Sequence, residues 1–337
     1  MSMNIGLIGA GRMGKVYANT LAAGMPGVTL SAVADPGEST LAEARDRYHI
    51  PSTYRDHRAL LERADIQAVI IATPTSTHAR VVMDAAAAGK HIFCEKPLSQ
   101  NLAECDQAMA AVAAAGVKLQ MGFMRHFDPP YQAAYAKIQA GVIGTPVMFK
   151  ATSRDPRRTS LEFARRVNSG GMIMDMGVHD FDLARWLMGA EVDLVHSLGG
   201  CLAFPELKEA GDIDNACINL RFANGAVGNI DLSRNAVYGY DIRTEVLGTA
   251  GSLWIGYLQQ TPTLVLTQAG VTHDTVPYFM ERFGTAYAAQ VRAFVGHILD
   301  GTTPEAGGAD ARAATAIGIA ATRSLDEDRP VRLAEVG

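Results

Sequence analysis

Residues 4–8, "NIGLI", form an apolar run that passes directly into Gly9-Ala10-Gly11-Arg12-Met13-Gly14 and then into an amphipathic segment over residues 14–23. Few folds accommodate a strand that enters a glycine turn and leaves it as a helix; the arrangement opens a βαβ unit. The pattern then repeats. "TLSAVAD", "AVIIATP", "HIFCEKP" and "KLQMGF" read as strands, with helical periodicity over residues 40–48 and 102–115. Strands alternating with helices of this length predict a parallel sheet.

The glycine spacing has a physical meaning. Gly9 permits a tight turn, Gly11 lets a pyrophosphate approach the backbone, and Gly14 lets helix and strand pack closely. The helix N-terminus then stabilises the phosphates. Alone, this spacing also fits a turn that binds nothing. Here Asp35 closes the second strand-like run, 21 residues beyond Gly14 (35 − 14), near the spacing of about 20 of a dinucleotide site. A carboxylate there hydrogen-bonds the ribose hydroxyls and repels a 2′-phosphate. Pro36, Gly37 and Glu38 follow without adding a cation, which favours NAD over NADP. Arg12, inside the loop, is the residue that could instead reach a phosphate.

Two more strand ends, "ATPTSTH" (72–78) and "EKP" (95–97), fall where open α/β sheets bind ligands. The expected cofactor-binding residues are Gly9, Gly11, Arg12, Met13, Gly14, Asp35, Thr73, Pro74, Glu95 and Lys96. His78 reads as a structural residue at a helix start. A lone lysine such as Lys96 also fits an exposed surface.

Further along, "GGMIMDMGVHDFD" (170–182) sets Asp175 and His179 four residues apart inside an apolar run. On a helix they share one face, about one turn from each other. On the helix alone, the pair also fits a structural helix-start contact.

The 337 residues suggest two domains, and an apolar content of 48% is enough for a core in each. Net charge is −5. The densest basic stretch, "SRDPRRTSLEFARR", is broken by Asp155 and Glu162 and reads as mostly a solvated loop, so nucleic-acid binding is not expected. Cys94, Cys105, Cys201 and Cys217 show no CxxC pairing, so neither a metal site nor a disulfide framework is expected. Reduced, mostly buried thiols fit a cytoplasmic protein. No signal peptide and no membrane span are expected.

In that order, GxGxxG, Asp35, "ATPTSTH", "EKP" and "GGMIMDMGVHDFD" resemble the Gfo/Idh/MocA family of sugar and polyol oxidoreductases, over nearly the whole chain. EKP followed by DxxxH is specific for that family; GxGxxG is not. "GFMRHFDPPY" (122–131), "SRDP" (153–156) and "SRNAVYGYDIRTEVLG" (233–248) resemble its inositol 2-dehydrogenase branch. The resemblance implies an α/β protein: an N-terminal Rossmann domain, residues 1–122, and a C-terminal α/β domain, residues 123–337, with a large open, mainly antiparallel sheet for substrate binding and oligomerisation. The later sequence agrees. "LVHSLGGCLAF", "NACINLRF", "AVGNIDLS", "IRTEVLG", "SLWIG" and "TLVLTQ" read as strands, with a hairpin signal at Asn224-Gly225. Helical patterns close the chain over residues 286–299 and 310–325.

By the resemblance, Lys96, Asp175 and His179 form the catalytic group. Oxidation of an alcohol by hydride transfer also removes the hydroxyl proton, and a histidine is suited to take it. Asp175 can orient the imidazole and stabilise its protonated form. The Lys96 ammonium can hydrogen-bond the substrate oxygen and favour alkoxide character. Met124, Arg125, Asp155 and Tyr238, with Lys96, Asp175 and His179, are the implied substrate-binding residues. Tyr240 also fits simple packing within the sheet. His126 departs from the branch, where many members carry a second arginine.

The activity implied is NAD-dependent oxidation of a ring CH–OH of an uncharged cyclic polyol, myo-inositol to 2-keto-myo-inositol first. The alternatives are another cyclic sugar (scyllo-inositol, glucose or another pyranose) and a non-catalytic NAD-binding regulator. The expected assembly is a homotetramer through the C-terminal sheet, on whose two faces "NACINLRF" and "AVGNIDLS" are expected to place apolar side chains.

Overall fold

In the computed structural model, which describes residues 3–337, six parallel strands form the first sheet. They are β1 (Met3–Ile8), β2 (Val28–Ala34), β3 (Ser52–Tyr54), β4 (Ala68–Ile71), β5 (His91–Cys94) and β6 (Leu119–Met121), in the order β3-β2-β1-β4-β5-β6. The intervening helices are α1 (Arg12–Ala22), α2 (Glu38–Tyr48), α3 (His57–Leu61), α4 (His78–Ala87) and α5 (Leu102–Ala115). β4 is buried throughout and β1 nearly so, as in strands covered on both faces. The strand order reverses between β1 and β4. Their carboxyl ends therefore flank the crevice in which such sheets hold ligands. Only β3 falls outside the strand-like runs of the sequence, because its three half-buried residues make no apolar run.

The second half carries α6 (Pro129–Gln139), β7 (Pro146–Arg154), α7 (Leu161–Ala164), α8 (Arg166–Ser169) and α9 (Gly171–Met188). Then come β8 (Val192–Gly200), β9 (Asn215–Phe222), β10 (Val227–Ser233), β11 (Asp241–Gly248) and β12 (Ser252–Ile255). The exposed ribbon β13 (Val265–Thr267) and β14 (Gly270–Thr272) precedes α10 (Phe279–Asp300), α11 (Gly308–Glu327) and β15 (Val331–Arg332). Seven strands form a sheet ordered β12-β11-β7-β10-β9-β8-β15, in which β7 and β10 are parallel and the other pairs antiparallel. The Asn224-Gly225 turn joins β9 to β10, with Gly225 at φ +89°. The strand-like runs of the sequence begin this sheet at Leu194, whereas β7 lies inside it, between β11 and β10. β7 buries Phe149, Ala151 and Ser153 but alternates them with Lys150, Thr152 and Arg154, so no apolar run marks it.

α9 lies against β7 and β10 on one face of this sheet. The other face corrects the expectation of apolar side chains on both sides for "NACINLRF", while "AVGNIDLS" places Val227 there. β9 buries Ala216, Ile218, Leu220 and Phe222 and turns Asn215, Cys217, Asn219 and Arg221 the other way. Strand alternation thus separates apolar from polar residues. Asn229 donates to Asn219 across this polar face at 2.9 Å, and Arg154 pairs with Asp231. Leu198, Val227, Leu247 and Trp254 are its exposed apolar side chains.

Two units result. The first runs to Phe127 and takes in Thr285–Thr315; the second is Asp128–Gly284 with Ala316–Gly337. This differs from a single division after residue 122. The late segment belongs with the first unit because Tyr287 packs edge-on to Tyr17 and Phe294 to Phe93. Among the described residues, no helix is long and apolar enough to cross a membrane, and no cluster of His, Cys, Asp or Glu could hold a metal ion. Each arginine of the 154–166 stretch meets a partner: Arg158 pairs with Glu206, Arg165 with Glu162 and Arg166 with Asp326, while Arg157 lies over the Tyr278 ring.

Candidate active site

In the first unit, the three glycines divide their tasks. Gly9 adopts φ +88°, and a Cβ there would sit 2.6 Å from the Ala72 carbonyl oxygen. A Cβ on Gly14 would lie 2.1 Å from the Gly9 carbonyl oxygen, so α1 packs onto the turn only with glycine. A Cβ on Gly11 would meet nothing within 4 Å. The exposed backbone at Gly11 is thus open to a ligand. α1 begins there with no side-chain cap and no acidic residue in its first turn. Its first N–H groups and the positive end of its dipole suit phosphate oxygens. Arg12 and Met13 occupy that first turn.

Asp35 stands beside the same loop. Its Oδ2 accepts the Ala10 amide at 2.9 Å and its Oδ1 accepts the Gly37 amide at 2.8 Å. A carboxylate oxygen accepts more than one hydrogen bond, so both can still serve a diol. Arg45 and Arg55 both pair with Glu38. The donor set therefore fits NAD: an open cradle for the pyrophosphate and a carboxylate for the ribose.

Thr73 and Pro74 follow β4, and the Thr73 amide lies where it would crowd a Cβ on Gly9. His78 ties this segment to the EKP turn. Its Nδ1 is 2.7 Å from the Pro97 carbonyl oxygen and its Nε2 is 2.9 Å from the Thr73 carbonyl oxygen. Burial holds the His78 imidazole below its ordinary pKa, against the pull of both carbonyls. Glu95 is buried; Tyr17 of α1 donates to its Oε1, and the Lys96 amide donates to its Oε2 at 3.2 Å. Gln290 donates to the Tyr17 hydroxyl at 3.0 Å. Burial pushes the Glu95 carboxyl up, while the Tyr17 hydrogen bond and the nearby charges of Lys96 and Arg12 pull it down. Glu95 thus fixes the turn that presents Lys96. Met124 and Arg125 lie buried in a short 3₁₀ turn after β6, with His126 beside them.

In the second unit, α9 enters through Gly170 and Gly171, both at positive φ. Its first free amide, Met172, donates to Asp212 Oδ1 at 2.9 Å, so a distant aspartate caps the helix. Burial pushes the Asp212 carboxyl up, opposed by the amides it accepts. From residue 171 to 180, Asp175 and His179 are the two residues that remain partly exposed; the other eight are buried. The helical spacing places the pair together on the open side of a segment otherwise committed to the core. A carboxylate one turn from an imidazole can orient it and stabilise its cation.

The structure adds a residue to this pair that the sequence reading did not single out. Arg234, buried at the end of β10, donates from Nη2 to Asp175 Oδ2 at 3.2 Å, and its Nη1 lies 3.9 Å from Asp155 Oδ2. Asp155, just past β7, is held by its own backbone: its amide donates to Ser233 O at 2.8 Å and its carbonyl accepts the Ala236 amide at 2.9 Å. One guanidinium thus brings Asp155 and Asp175 together. Tyr238 is engaged by other partners. Its hydroxyl donates to Asp241 Oδ2 at 2.8 Å and accepts from Arg154 Nη1 at 3.1 Å. Arg154 projects from the face opposite Ser153, and therefore away from α9. Tyr240 is buried, its ring edge-on to Tyr278 and Phe283.

Known proteins align with this arrangement throughout. Residues 3–123 match the model of the oxidoreductase family described as an NAD-binding Rossmann fold, and residues 131–254 match the GFO/IDH/MocA C-terminal domain. The chain is 38% identical over 335 residues to myo-inositol 2-dehydrogenase of Thermotoga maritima, covering 99% of each. It is 39% identical over 327 residues to scyllo-inositol 2-dehydrogenase (NAD(+)) of Bacillus subtilis, covering 97% of this chain and 95% of the relative. The crystal structure of scyllo-inositol dehydrogenase from Lactobacillus casei with bound NAD(H) and scyllo-inositol superposes with a TM-score of 0.95 at 30% identity, covering 99% of this chain and 100% of that one.

Proposed function

Because the chain belongs to the Gfo/Idh/MocA oxidoreductase family, we propose that it oxidises one ring CH–OH of an inositol to the ketone with NAD. The observation that carries this reading is the Asp175–His179 pair, left open on the otherwise buried first ten residues of α9, in a chain whose glycine loop and Asp35 fit the dinucleotide.

NAD supplies the hydride acceptor. Gly9, Gly11, Gly14, Asp35 and the start of α1 bind it, with Arg12, Met13, Thr73, Pro74, Glu95 and Lys96 completing its surroundings. His179 takes the hydroxyl proton as general base. Asp175 orients the imidazole and stabilises it once protonated. Lys96 hydrogen-bonds the substrate oxygen as it gains alkoxide character. Met124, Arg125 and Asp155 provide an apolar wall, a donor and an acceptor for the remaining hydroxyls. Tyr238 reaches a substrate only by leaving Asp241 and Arg154.

The charge balance favours an uncharged substrate. Asp155 and Asp175 oppose an anion, and Arg234 is already engaged by both. A buried phosphate or carboxylate needs an uncommitted cation. The proposed setting is cytoplasmic, and the proposed assembly is a homotetramer through the polar face of the seven-stranded sheet. Light scattering at micromolar protein tests the assembly, and a monomer would exclude it.

The test of function is NADH absorbance with NAD and a panel of myo-inositol, scyllo-inositol, glucose, xylose and a sugar phosphate. One of the inositols should be preferred. A preference for glucose or xylose moves the substrate to another cyclic sugar and keeps the mechanism. A preference for the phosphate overturns the uncharged-polyol reading. Absence of turnover on all of them, with NAD still bound, supports a non-catalytic NAD-binding protein instead.

A further inference from the structure

Arg234 is the largest of the fully buried side chains, and it is charged. A buried guanidinium is strongly unfavourable unless anions meet it. Asp175 and Asp155 do so, and Asp212, which caps α9, also feels its charge. Replacing such a buried ionic group by apolar side chains of equal volume is often neutral or stabilising. Stability therefore does not account for it. Location does: the Arg234 amide donates to Asp214 O at 2.9 Å, which anchors the residue where β10 ends.

We propose that Arg234 is a positioning residue of the proton-transfer group. Its guanidinium fixes the Asp175 carboxylate one turn from His179, fixes the Asp155 carboxylate beside it, and cancels part of the negative charge that His179 faces. This rests on the reading of His179 as the proton acceptor. Within the second unit, the remaining surroundings add little charge. Beneath α9, β7 and β10 present Phe149, Ala151, Ser153, Ile230 and Leu232, all uncharged. From α8, Arg166 is paired with Asp326 of α11, and its charge also reaches Asp212. Asp180 and Asp182 lie on the buried sides of α9.

The sign follows. Oxidation needs neutral His179, so kcat/KM falls on the acid side as the imidazole protonates. The two carboxylates favour the imidazolium, and Arg234 opposes them. Removing the Arg234 charge moves that acid limb to higher pH. Keeping the charge but losing the planar fork leaves the limb in place and loosens the carboxylates.

The experiment compares Arg234→Gln, Arg234→Lys and His179→Ala with the wild type, by pH profiles of kcat/KM for an inositol and by NAD affinity. Arg234→Gln should raise the acid limb by about half a pH unit or more. Arg234→Lys should keep the wild-type limb and lose about 10- to 100-fold in kcat/KM. Neither should change NAD affinity. An unmoved limb in Arg234→Gln, with His179→Ala having lost its limb, overturns the role of Arg234 and leaves His179 as the base. A wild-type limb retained in His179→Ala overturns both. Should Arg234→Gln fail to fold, Arg234→Lys decides: wild-type turnover overturns the proposal, and the expected loss at unchanged NAD affinity supports it.

Discussion

The carboxylate of Asp35 accepts the backbone amide of Ala10 at 2.9 Å, joining the end of β2 to the middle of the glycine turn. The group proposed to select the ribose thus also ties down the loop proposed to hold the phosphates. With Arg45 and Arg55 both drawn onto Glu38, a 2′-phosphate would meet Asp35 without an uncommitted cation from either. NAD should be preferred over NADP by at least about 100-fold in kcat/KM, a difference near 2.7 kcal/mol. Asp35→Ser should narrow that ratio and also weaken NAD, because the loop loses its tie. Equal use of both cofactors by the wild type would mean that Arg12 governs the choice.

In the proposed catalytic group, His179 is the residue whose loss should separate chemistry from cofactor binding. His179→Ala and Lys96→Ala should each lose about 10²- to 10⁴-fold in kcat. His179→Ala should leave the NAD dissociation constant near its wild-type value. Near-full turnover in that variant would require another base.

The glycine turn offers a sharper contrast. Gly14→Ala places a methyl 2.1 Å from the Gly9 carbonyl oxygen. It should destabilise the protein by about 1–3 kcal/mol or more, seen as a lower Tm. Gly11→Ala meets no protein atom within 4 Å. Its stability should stay within about 0.5 kcal/mol of wild type, while NAD binds about tenfold or more weakly. If Gly11→Ala binds NAD normally, the pyrophosphate does not pass there.

His78 gives a pH signature in stability. Its pKa in the fold lies below the ordinary 6.5 because burial disfavours the cation. A group depressed in this way contributes stability above its unfolded pKa and loses it as pH falls from there through the folded value. Tm should therefore decline as pH drops below about 6.5, and His78→Gln should show a shallower decline. Parallel curves for the two proteins would remove His78 from the account.

Asp155 and Tyr238 should behave differently. Asp155→Ala should raise KM for the polyol more than for NAD, since a substrate hydroxyl loses its acceptor. Tyr238→Phe should change the polyol KM by less than about threefold, because its hydroxyl serves Asp241 and Arg154. A large KM effect in Tyr238→Phe would place its hydroxyl at the substrate.

Local patterns carried much of this protein. Gly9, Gly11, Gly14 and Asp35 act within one βαβ segment, so spacing alone exposes them. Asp175 and His179 share a helix face, and helical periodicity brings them together. Arg234 escapes that logic: it lies 59 residues from Asp175, and its meaning appears only when β10 ends beside α9. Asp212 caps α9 from 40 residues away for the same reason. β7 was hidden because half its residues face the polar side of the sheet.

The placement of residues 285–315 bears on how the chain is made. The Met121 amide at the edge strand β6 donates to Ala306 O at 2.8 Å, and Phe93 packs edge-on to Phe294. The first sheet is therefore finished by residues translated long after its own strands. During synthesis its edge strand and the ring of Phe93 must wait while β7 to β12 of the second sheet are translated, about 8–30 s at about 5–20 residues per second. A nascent chain arrested at residue 284 should leave the nucleotide half open to protease; resistance there would show that this half closes without its late helices. The unit that comes first in this sequence is completed only after most of the second has been made.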